Sequence, residues 1–157
     1  MRKICCFAGH GKIFYDDEIR TQICRTIEAV IKEEEITEFW VGNYGSFDRL
    51  SAGCVREVKK HYPYIKLYLV IPYLTAEINR DKTFFEKNYD GILIAEIPER
   101  TPKRLGIIKC DEYMADKAMC LICYVATQAG GAAKTLRYAE KKRIQIYNLA
   151  EKAVLKK

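Results

Sequence analysis

Short runs of apolar residues recur along the chain and are separated by longer stretches of mixed polarity. Within each run the apolar residues are continuous rather than alternating, which is typical of strands buried on both faces in a parallel sheet. The pattern predicts strands at residues 4–8, 39–41, 65–71, 92–95, 120–125 and 144–149.

Between these runs, apolar residues return at steps of three and four positions, which predicts helices. The first predicted helix opens at Asp16 and Asp17, and the second has Ser46 as its N-cap. Their predicted apolar faces are Ile19, Ile23, Ile27, Val30 and Ile31 in the first, and Phe47, Leu50, Cys54 and Val58 in the second. A third helix is predicted at 113–118, and a fourth follows Gly130 and Gly131 with Leu136 and Ala139 on its apolar face.

Strands that alternate with helices in this way are typical of an α/β fold with right-handed crossovers. We therefore expect a single Rossmann-like α/β domain over residues 1–157, with a doubly wound, mostly parallel sheet and helices on both faces. The segments near Pro72, at 79–81 and at 98–102 are interpreted as loops.

Composition favours a soluble globular protein, since 49% of the residues are hydrophobic and 31% are charged. The first apolar run ends after about five residues in a glycine loop, which predicts a buried strand rather than a secretory signal. We expect a cytoplasmic protein that does not associate with membranes. The net charge of +6 is dispersed along the chain, so a nucleic-acid partner is not expected from charge alone.

Seven cysteines are present, and most of them lie inside apolar runs, which disfavours a disulfide framework. Cys120 and Cys123 have C-x-x-C spacing, but residues three apart on a strand point to opposite faces of the sheet. The sequence therefore predicts buried thiols, with no metal site and no resident cofactor.

Three glycine-bearing loops follow predicted strands, where ligands bind in open parallel sheets. Glycine lets the backbone approach a ligand closely, and the following helix N-terminus offers N–H groups to an anion. The predicted ligand-binding residues are Gly9 and His10 in the first loop; Gly42, Asn43, Tyr44, Gly45, Ser46 and Asp48 in the second; and Gly130, Gly131, Ala132, Lys134 and Thr135 in the third. We expect His10, Asn43 and Lys134 to gather around one hollow at the rim of the sheet.

Two common nucleotide-binding patterns are absent. Gly9 and Gly11 are followed by Phe14 where a dinucleotide fingerprint has its third glycine, and the chain has no G-x-x-x-x-G-K-[ST] segment. Ordinary dehydrogenase and P-loop ATPase functions are therefore disfavoured.

Three segments together resemble the SLOG superfamily, specifically its YpsA-like members. The matching residues are 6–10 (Cys-Phe-Ala-Gly-His), 42–52 (Gly-x-x-Gly-Ser-Phe-Asp-x-x-x-Ala) and 130–139 (Gly-Gly-Ala-Ala-Lys-Thr-x-x-x-Ala). The superfamily also includes the LOG phosphoribohydrolases and the DprA DNA-processing proteins. The resemblance implies a Rossmann-like sheet that binds a nucleotide or nucleotide sugar, in a protein that forms a homo-oligomer.

The chain departs from the LOG enzymes at the positions of their catalytic side chains. Their R-x-x-x-M pattern, when its methionine is aligned with Met114, has its arginine at Cys110. Their P-G-G-x-G-T-x-x-E pattern, when its two adjacent glycines are aligned with Gly130 and Gly131 and its threonine with Thr135, has its glutamate at Tyr138. Neither residue replaces the bidentate cation or the carboxylate. The leading hypothesis is therefore a nucleotide-binding domain that senses or sequesters its ligand.

An N-glycosidase or deoxyribosyltransferase-like activity is the enzymatic alternative, because cleavage through an oxocarbenium-like state needs a nearby carboxylate. The catalytic candidates for that role are Asp48, in the first turn after the second loop, and Glu112. Asp111 is a further candidate, although Asp111 and Glu112 are interpreted first as surface acids of a helix. A second alternative is single-stranded DNA binding, as in the DprA relatives.

Overall fold

A computed structural model, which describes residues 2–12 and 15–150, contains six strands and six helices in those ranges. The strands are β1 (Ile4–Gly9), β2 (Glu38–Val41), β3 (Lys66–Ile71), β4 (Gly91–Ile94), β5 (Cys120–Tyr124) and β6 (Gln145–Asn148). The helices are α1 (Asp17–Glu34), α2 (Ser46–Lys59), α3 (Ala76–Arg80), α4 (Lys82–Asn88), α5 (Lys103–Lys117) and α6 (Gly131–Lys141).

The six strands form one sheet in the order β4-β3-β2-β1-β5-β6, and every neighbouring pair is parallel. The predicted Rossmann-like parallel sheet is confirmed. From β1 the chain adds strands outward to β4 on one side, and it then returns to place β5 and β6 on the other side. The strand order therefore reverses between β1 and β5.

Helices cover both faces of the sheet, as predicted, because successive side chains of each strand point to opposite faces. Cys5 and Phe7 of β1 belong to the apolar core beneath α1 and α2. Cys6 and Ala8 belong to a second core beneath α5 and α6, where Met114 is also buried.

Three helical predictions need correction. Helix α5 begins at Lys103, ten residues before the predicted start, because its N-terminal half exposes Leu105 and Ile107 and lacks a one-sided apolar pattern. The short helices α3 and α4 replace a predicted loop at 79–81. Helix α3 has little more than one turn, which is too short for a periodic pattern of apolar residues to be recognised. The Thr75 side chain caps this helix by accepting a hydrogen bond from the N–H of Ile78.

Gly45, and not Ser46, is the N-cap of α2, and within the described residues no side chain caps the start of this helix. Ser46 is already helical, and its N–H donates to the carbonyl of Gly11 over 2.9 Å. The predicted cap residue therefore ties the second glycine loop to the first.

All seven cysteines are free thiols, and every one except Cys24 is buried. The described residues contain no group of three or more His, Cys, Asp or Glu side chains placed to hold a metal ion. In the same part of the chain, we found no helix with the length and apolarity needed to cross a bilayer.

The first two glycine loops lie so close together that a side chain would not fit between them. A Cβ atom at Gly45 would overlap the backbone of Gly11, and one at Gly9 would overlap the ring of Phe47. The absence of side chains at these positions lets the start of α2 lie directly against the end of β1.

We expect Gly45→Ala to lower the free energy of unfolding by about 1–3 kcal/mol, because the added methyl group forces the two loops apart. Urea unfolding of the purified protein measures this change. Gly53→Ala, inside α2, is the matched control: its Cβ would meet only the Arg20 guanidinium at 3.8 Å. That variant should gain about 0.5–1 kcal/mol from helix propensity. Equal unfolding midpoints for the two variants would contradict the overlap.

Candidate functional site

A cavity of about 670 Å³ opens at the carboxyl edge of the sheet, beside the reversal of strand order. This is where ligands bind in open α/β sheets, since the connections leave neighbouring strands toward opposite faces. All three predicted glycine loops reach it. Its lining residues are Phe7, Ala8, Gly9, His10, Gly11 and Lys12; Tyr44, Gly45 and Asp48; Ile107 and Asp111; and Thr127, Gly130, Gly131 and Ala132.

His10 holds the three loops together. Its backbone carbonyl accepts hydrogen bonds from the Tyr15 hydroxyl at 2.7 Å and from the Ser46 hydroxyl at 3.4 Å. Its Nε2 atom accepts from the N–H of Ala126 at 2.9 Å, just beyond the end of β5. An Nε2 atom that accepts is unprotonated, so the imidazole is neutral in this arrangement. His10 therefore positions the first and third loops, in addition to facing the cavity.

The third loop presents bare backbone to the cavity. Gly130 has a φ of 96°, in the left-handed region that favours glycine, and apart from chain neighbours and helix backbone no heavy atom of the described residues lies within 4 Å of a Cβ built at Gly130 or Gly131. No side chain in the described part of the chain caps helix α6, so its first N–H groups lack both a helical and a side-chain partner there. The Asn148 side chain fixes the start of this loop by bonding both the N–H and the carbonyl of Val125.

Asp48 lies in the first turn of α2 with its side chain half-buried at the cavity. Its Oδ2 atom accepts a hydrogen bond from the N–H of Tyr44 at 2.9 Å. Burial raises the pKa of Asp48 to about 6, and the Tyr44 N–H and the charge of Arg49 oppose that rise. The carboxyl group is therefore mostly ionised at neutral pH.

Asp111 reaches the same cavity from α5, on the other side of the reversal. Its Oδ2 atom accepts from the Thr135 hydroxyl at 3.3 Å. Burial and, to a smaller extent, the nearby charge of Asp48 together raise the pKa of Asp111 to about 8. The cavity thus holds two acidic groups that differ in protonation at pH 7, as environments arranged for acid–base roles do.

Glu112 does not line the cavity. Its carboxylate pairs with Lys109 on the same helix, at 3.2 Å. Asp111, interpreted from the sequence as a surface acid, is the α5 carboxyl group that faces inward, because the two residues are one position apart and point in different directions.

The predicted binding residues divide into two sets. Those that line the cavity are Gly9, His10, Tyr44, Gly45, Asp48, Gly130, Gly131 and Ala132; those outside its described lining are Gly42, Asn43, Ser46, Lys134 and Thr135. Lys134 is exposed on α6, whereas Thr135 is buried with its hydroxyl bonded to Gly131 and Asp111. Of the three residues expected around one hollow, the lining thus contains His10 but neither Asn43 nor Lys134.

The cavity lining also contains residues that were not among the predicted binding residues, including Lys12, Ile107 and Thr127, and Asp111 was named only as a further catalytic candidate. Lys12 directly follows the first glycine loop, so a cation next to a phosphate-binding pattern was a usable signal. Ile107 and Asp111 could not be placed, because α5 was predicted to begin only at residue 113.

These features define a Rossmann-like α/β domain with a glycine-walled cavity at its strand-order reversal. No protein-family model matches the chain, and no curated protein is significantly similar to it. Several solved structures do share its fold.

DNA processing protein A (DprA) from Streptococcus pneumoniae aligns with a TM-score of 0.62 and 13% identity over 92% of this chain and 49% of that one. DprA from Helicobacter pylori, described as binding single-stranded DNA, gives 0.62 and 13% over 92% of this chain and 63% of that one. The molybdenum cofactor carrier protein of Chlamydomonas reinhardtii gives 0.57 and 12%, over 96% and 77%. The chain spans about half the length of the first DprA, and at these identities the similarity shows the fold alone.

The raised pKa of Asp111 makes stability depend on pH. An aspartate in the unfolded chain titrates near 3.9, so folding retains a proton that the unfolded chain releases, and stability is lost as pH rises from about 4 to about 8. Asp111→Asn removes this titration. Its unfolding free energy should exceed that of the wild type by a margin that grows about 1.4 kcal/mol per pH unit up to near pH 8.

Urea unfolding at several pH values between 5 and 9 measures that margin. Glu112→Gln, one position along the same helix, is the matched control and should follow the wild-type curve. A margin for Asp111→Asn that stays constant over this range would show that the carboxyl group is not buried as described.

Proposed function

We propose that this protein binds a nucleotide or a nucleotide-derived molecule in the cavity at the carboxyl edge of the sheet. The observation that carries the proposal is the convergence of three glycine loops, remote in sequence, on one cavity of about 670 Å³. A cavity of this size is within the range that accommodates small organic ligands.

The phosphate of the ligand is assigned to the third loop. Gly130 and Gly131 leave open space beside the N-terminus of α6, where free N–H groups and the helix dipole attract an anion. Lys12 supplies a cation from the first loop.

The base or sugar is assigned to the second loop, where Tyr44 is 38% exposed and lies beside Asp48. The aromatic ring offers a stacking surface, and the carboxylate accepts hydrogen bonds from hydroxyl or amino groups.

We further propose that the chain is a YpsA-like member of the SLOG superfamily. The order of its three glycine-bearing segments supports this, and so does the shared fold with two DprA proteins. Under this proposal it is a cytoplasmic homo-oligomer, and oligomeric state is measurable by light scattering.

Calorimetric titration with nucleoside monophosphates, ADP-ribose and cyclic dinucleotides tests the binding proposal. A Cβ atom built at Gly131 meets no described atom within 4 Å outside its own helix backbone and chain neighbours, so Gly131→Val adds a side chain in the open space beside α6. We expect that variant to bind about tenfold more weakly or worse, since it blocks the backbone N–H groups, while its thermal stability stays close to that of the wild type.

Lys12→Ala should also weaken binding, and Lys134→Ala, which lies outside the cavity lining, is its matched control. A single-stranded oligonucleotide belongs in the same titration, because a DNA ligand predicts affinity that falls steeply with salt. Failure of every small molecule to bind at millimolar concentration would reject the proposal.

A second candidate function is hydrolysis of an N-glycosidic bond, which is supported by the placement of Asp48 and Asp111 in one cavity. In this reaction the bond between C1′ and the base nitrogen breaks, and the departing base takes the proton of Asp111. Ionised Asp48 stabilises the oxocarbenium-like state, and water then adds to C1′ and returns a proton to Asp111.

If the protein is such an enzyme, Asp48→Asn and Asp111→Asn should each reduce base release by a factor of about 100 or more. Chromatography of free base after incubation with nucleoside monophosphates measures the rate. Glu112→Gln should keep wild-type activity. Base release that survives both aspartate substitutions would remove the pair from catalysis.

A further inference from the structure

The cavity offers little positive charge from side chains. Within the described residues, Lys12 is the one cationic side chain in the lining, against the two acids Asp48 and Asp111. Two other basic side chains on α5 and α6 have partners of their own: Arg137 donates to the carbonyl of Gln128, and Lys109 pairs with Glu112. Any anion that enters therefore meets more acidic than basic side chains.

Each acid has one carboxyl oxygen that is not bonded to the described part of the chain. Oδ2 of Asp48 accepts from Tyr44, and Oδ2 of Asp111 accepts from Thr135; the structure gives neither Oδ1 atom a hydrogen-bond donor in residues 2–12 or 15–150. Both groups are half-buried and face the cavity, so water screens them less than it screens charges on the open surface. The two Oδ1 atoms are therefore available to a ligand. Any negative charge on Asp48 or Asp111 acts on a ligand in the cavity.

Apart from Lys12, the charged or titratable groups of the described residues around the pair add no positive charge to the cavity lining. Arg49 of α2 acts on Asp48 and is exposed at the surface. Around Asp111 lie Glu112 and the neutral thiols of Cys6 and Cys110, from α5 and β1. Asp48 and Asp111 act on each other across the cavity, so a second negative charge on the ligand would be repelled.

Phosphate esters differ in the charge they bring. A terminal phosphomonoester carries a charge of about −1.5 to −2 at pH 7 because its second pKa is about 6. A phosphodiester carries a single negative charge over the same range. Backbone N–H groups of the kind offered by Gly130 and Gly131 are partial positive charges, equivalent to about half an elementary charge at a helix N-terminus, so they balance less of the charge of a dianion than of a monoanion.

We propose that Asp48 and Asp111 select a ligand whose phosphate is a singly charged diester, as in a cyclic nucleotide or a dinucleotide, over one that ends in a phosphomonoester. This inference rests on the proposed nucleotide-binding function and specifies its ligand class. The pair acts as a charge filter at the cavity wall.

The test compares ligands that differ only in phosphate charge. The four ribonucleoside 5′-monophosphates and their methyl phosphodiesters are titrated into the full chain by calorimetry at pH 8 and at pH 5.5. At pH 8 the best-binding nucleoside should bind about tenfold more tightly as its methyl ester. At pH 5.5 the difference should shrink to about threefold or less, since the monoester is then largely a monoanion.

Asp48→Asn and Asp111→Asn keep the side-chain shape and remove the acid, so the preference for the methyl ester at pH 8 should shrink in both. Glu112→Gln, whose carboxylate lies outside the cavity, should retain it. The comparison of two pH values in the unmodified protein needs no variant, so the proposal stays falsifiable even if a substitution impairs folding.

The outcomes separate the two proposals. Monoesters that bind as tightly as their methyl esters at pH 8 overturn the charge filter and leave nucleotide binding standing. A preference for methyl esters that both aspartate variants retain in full also overturns it. If neither class of ligand binds, and ADP-ribose and cyclic dinucleotides also fail, the binding function itself is rejected.

Discussion

The reversal of strand order between β1 and β5 is the constraint on which the site depends. The chain leaves β1 toward α1 and leaves β5 toward α6, and these helices cover opposite faces of the sheet. Because the two connections diverge, a gap must open above the carboxyl ends of the two central strands. The bare backbone at Gly9, Gly11 and Gly45 then brings α2 to one wall of that gap, and His10 ties the opposite wall to it.

Much of the fold could be predicted from the sequence, because a strand that is buried on both faces of a sheet is a continuous run of apolar residues. Continuous apolar runs located all six strands to within two residues, and the strand–helix alternation implied parallel pairing. Helix α5 was predicted too short, since its first half presents apolar residues to solvent as well as to the core. The one-turn helix α3 lacked the length for periodicity to develop.

The part of the site that consists of exposed backbone at glycines could be predicted from the sequence. Glycine after a buried strand is a local signal, and the cavity lining includes residues from all three loops on which it appeared. The direction in which a side chain points depends on how the helices pack against the sheet, which the local sequence does not determine. Lys134 and Asp111 illustrate this, since one is a cation that lies outside the described lining and the other is an acid that turns inward.

The thiols of the central strands have a consequence for how the domain can be observed. Cys5 lies opposite Cys120 in the register of β1 and β5, toward the amino ends of these strands, and both are fully buried. Burial raises the pKa of the Cys5 and Cys6 thiols, so thiolate is scarce while the sheet is closed. Alkylation of these thiols therefore requires the strands to separate, and its rate measures how often the two central strands of the sheet open.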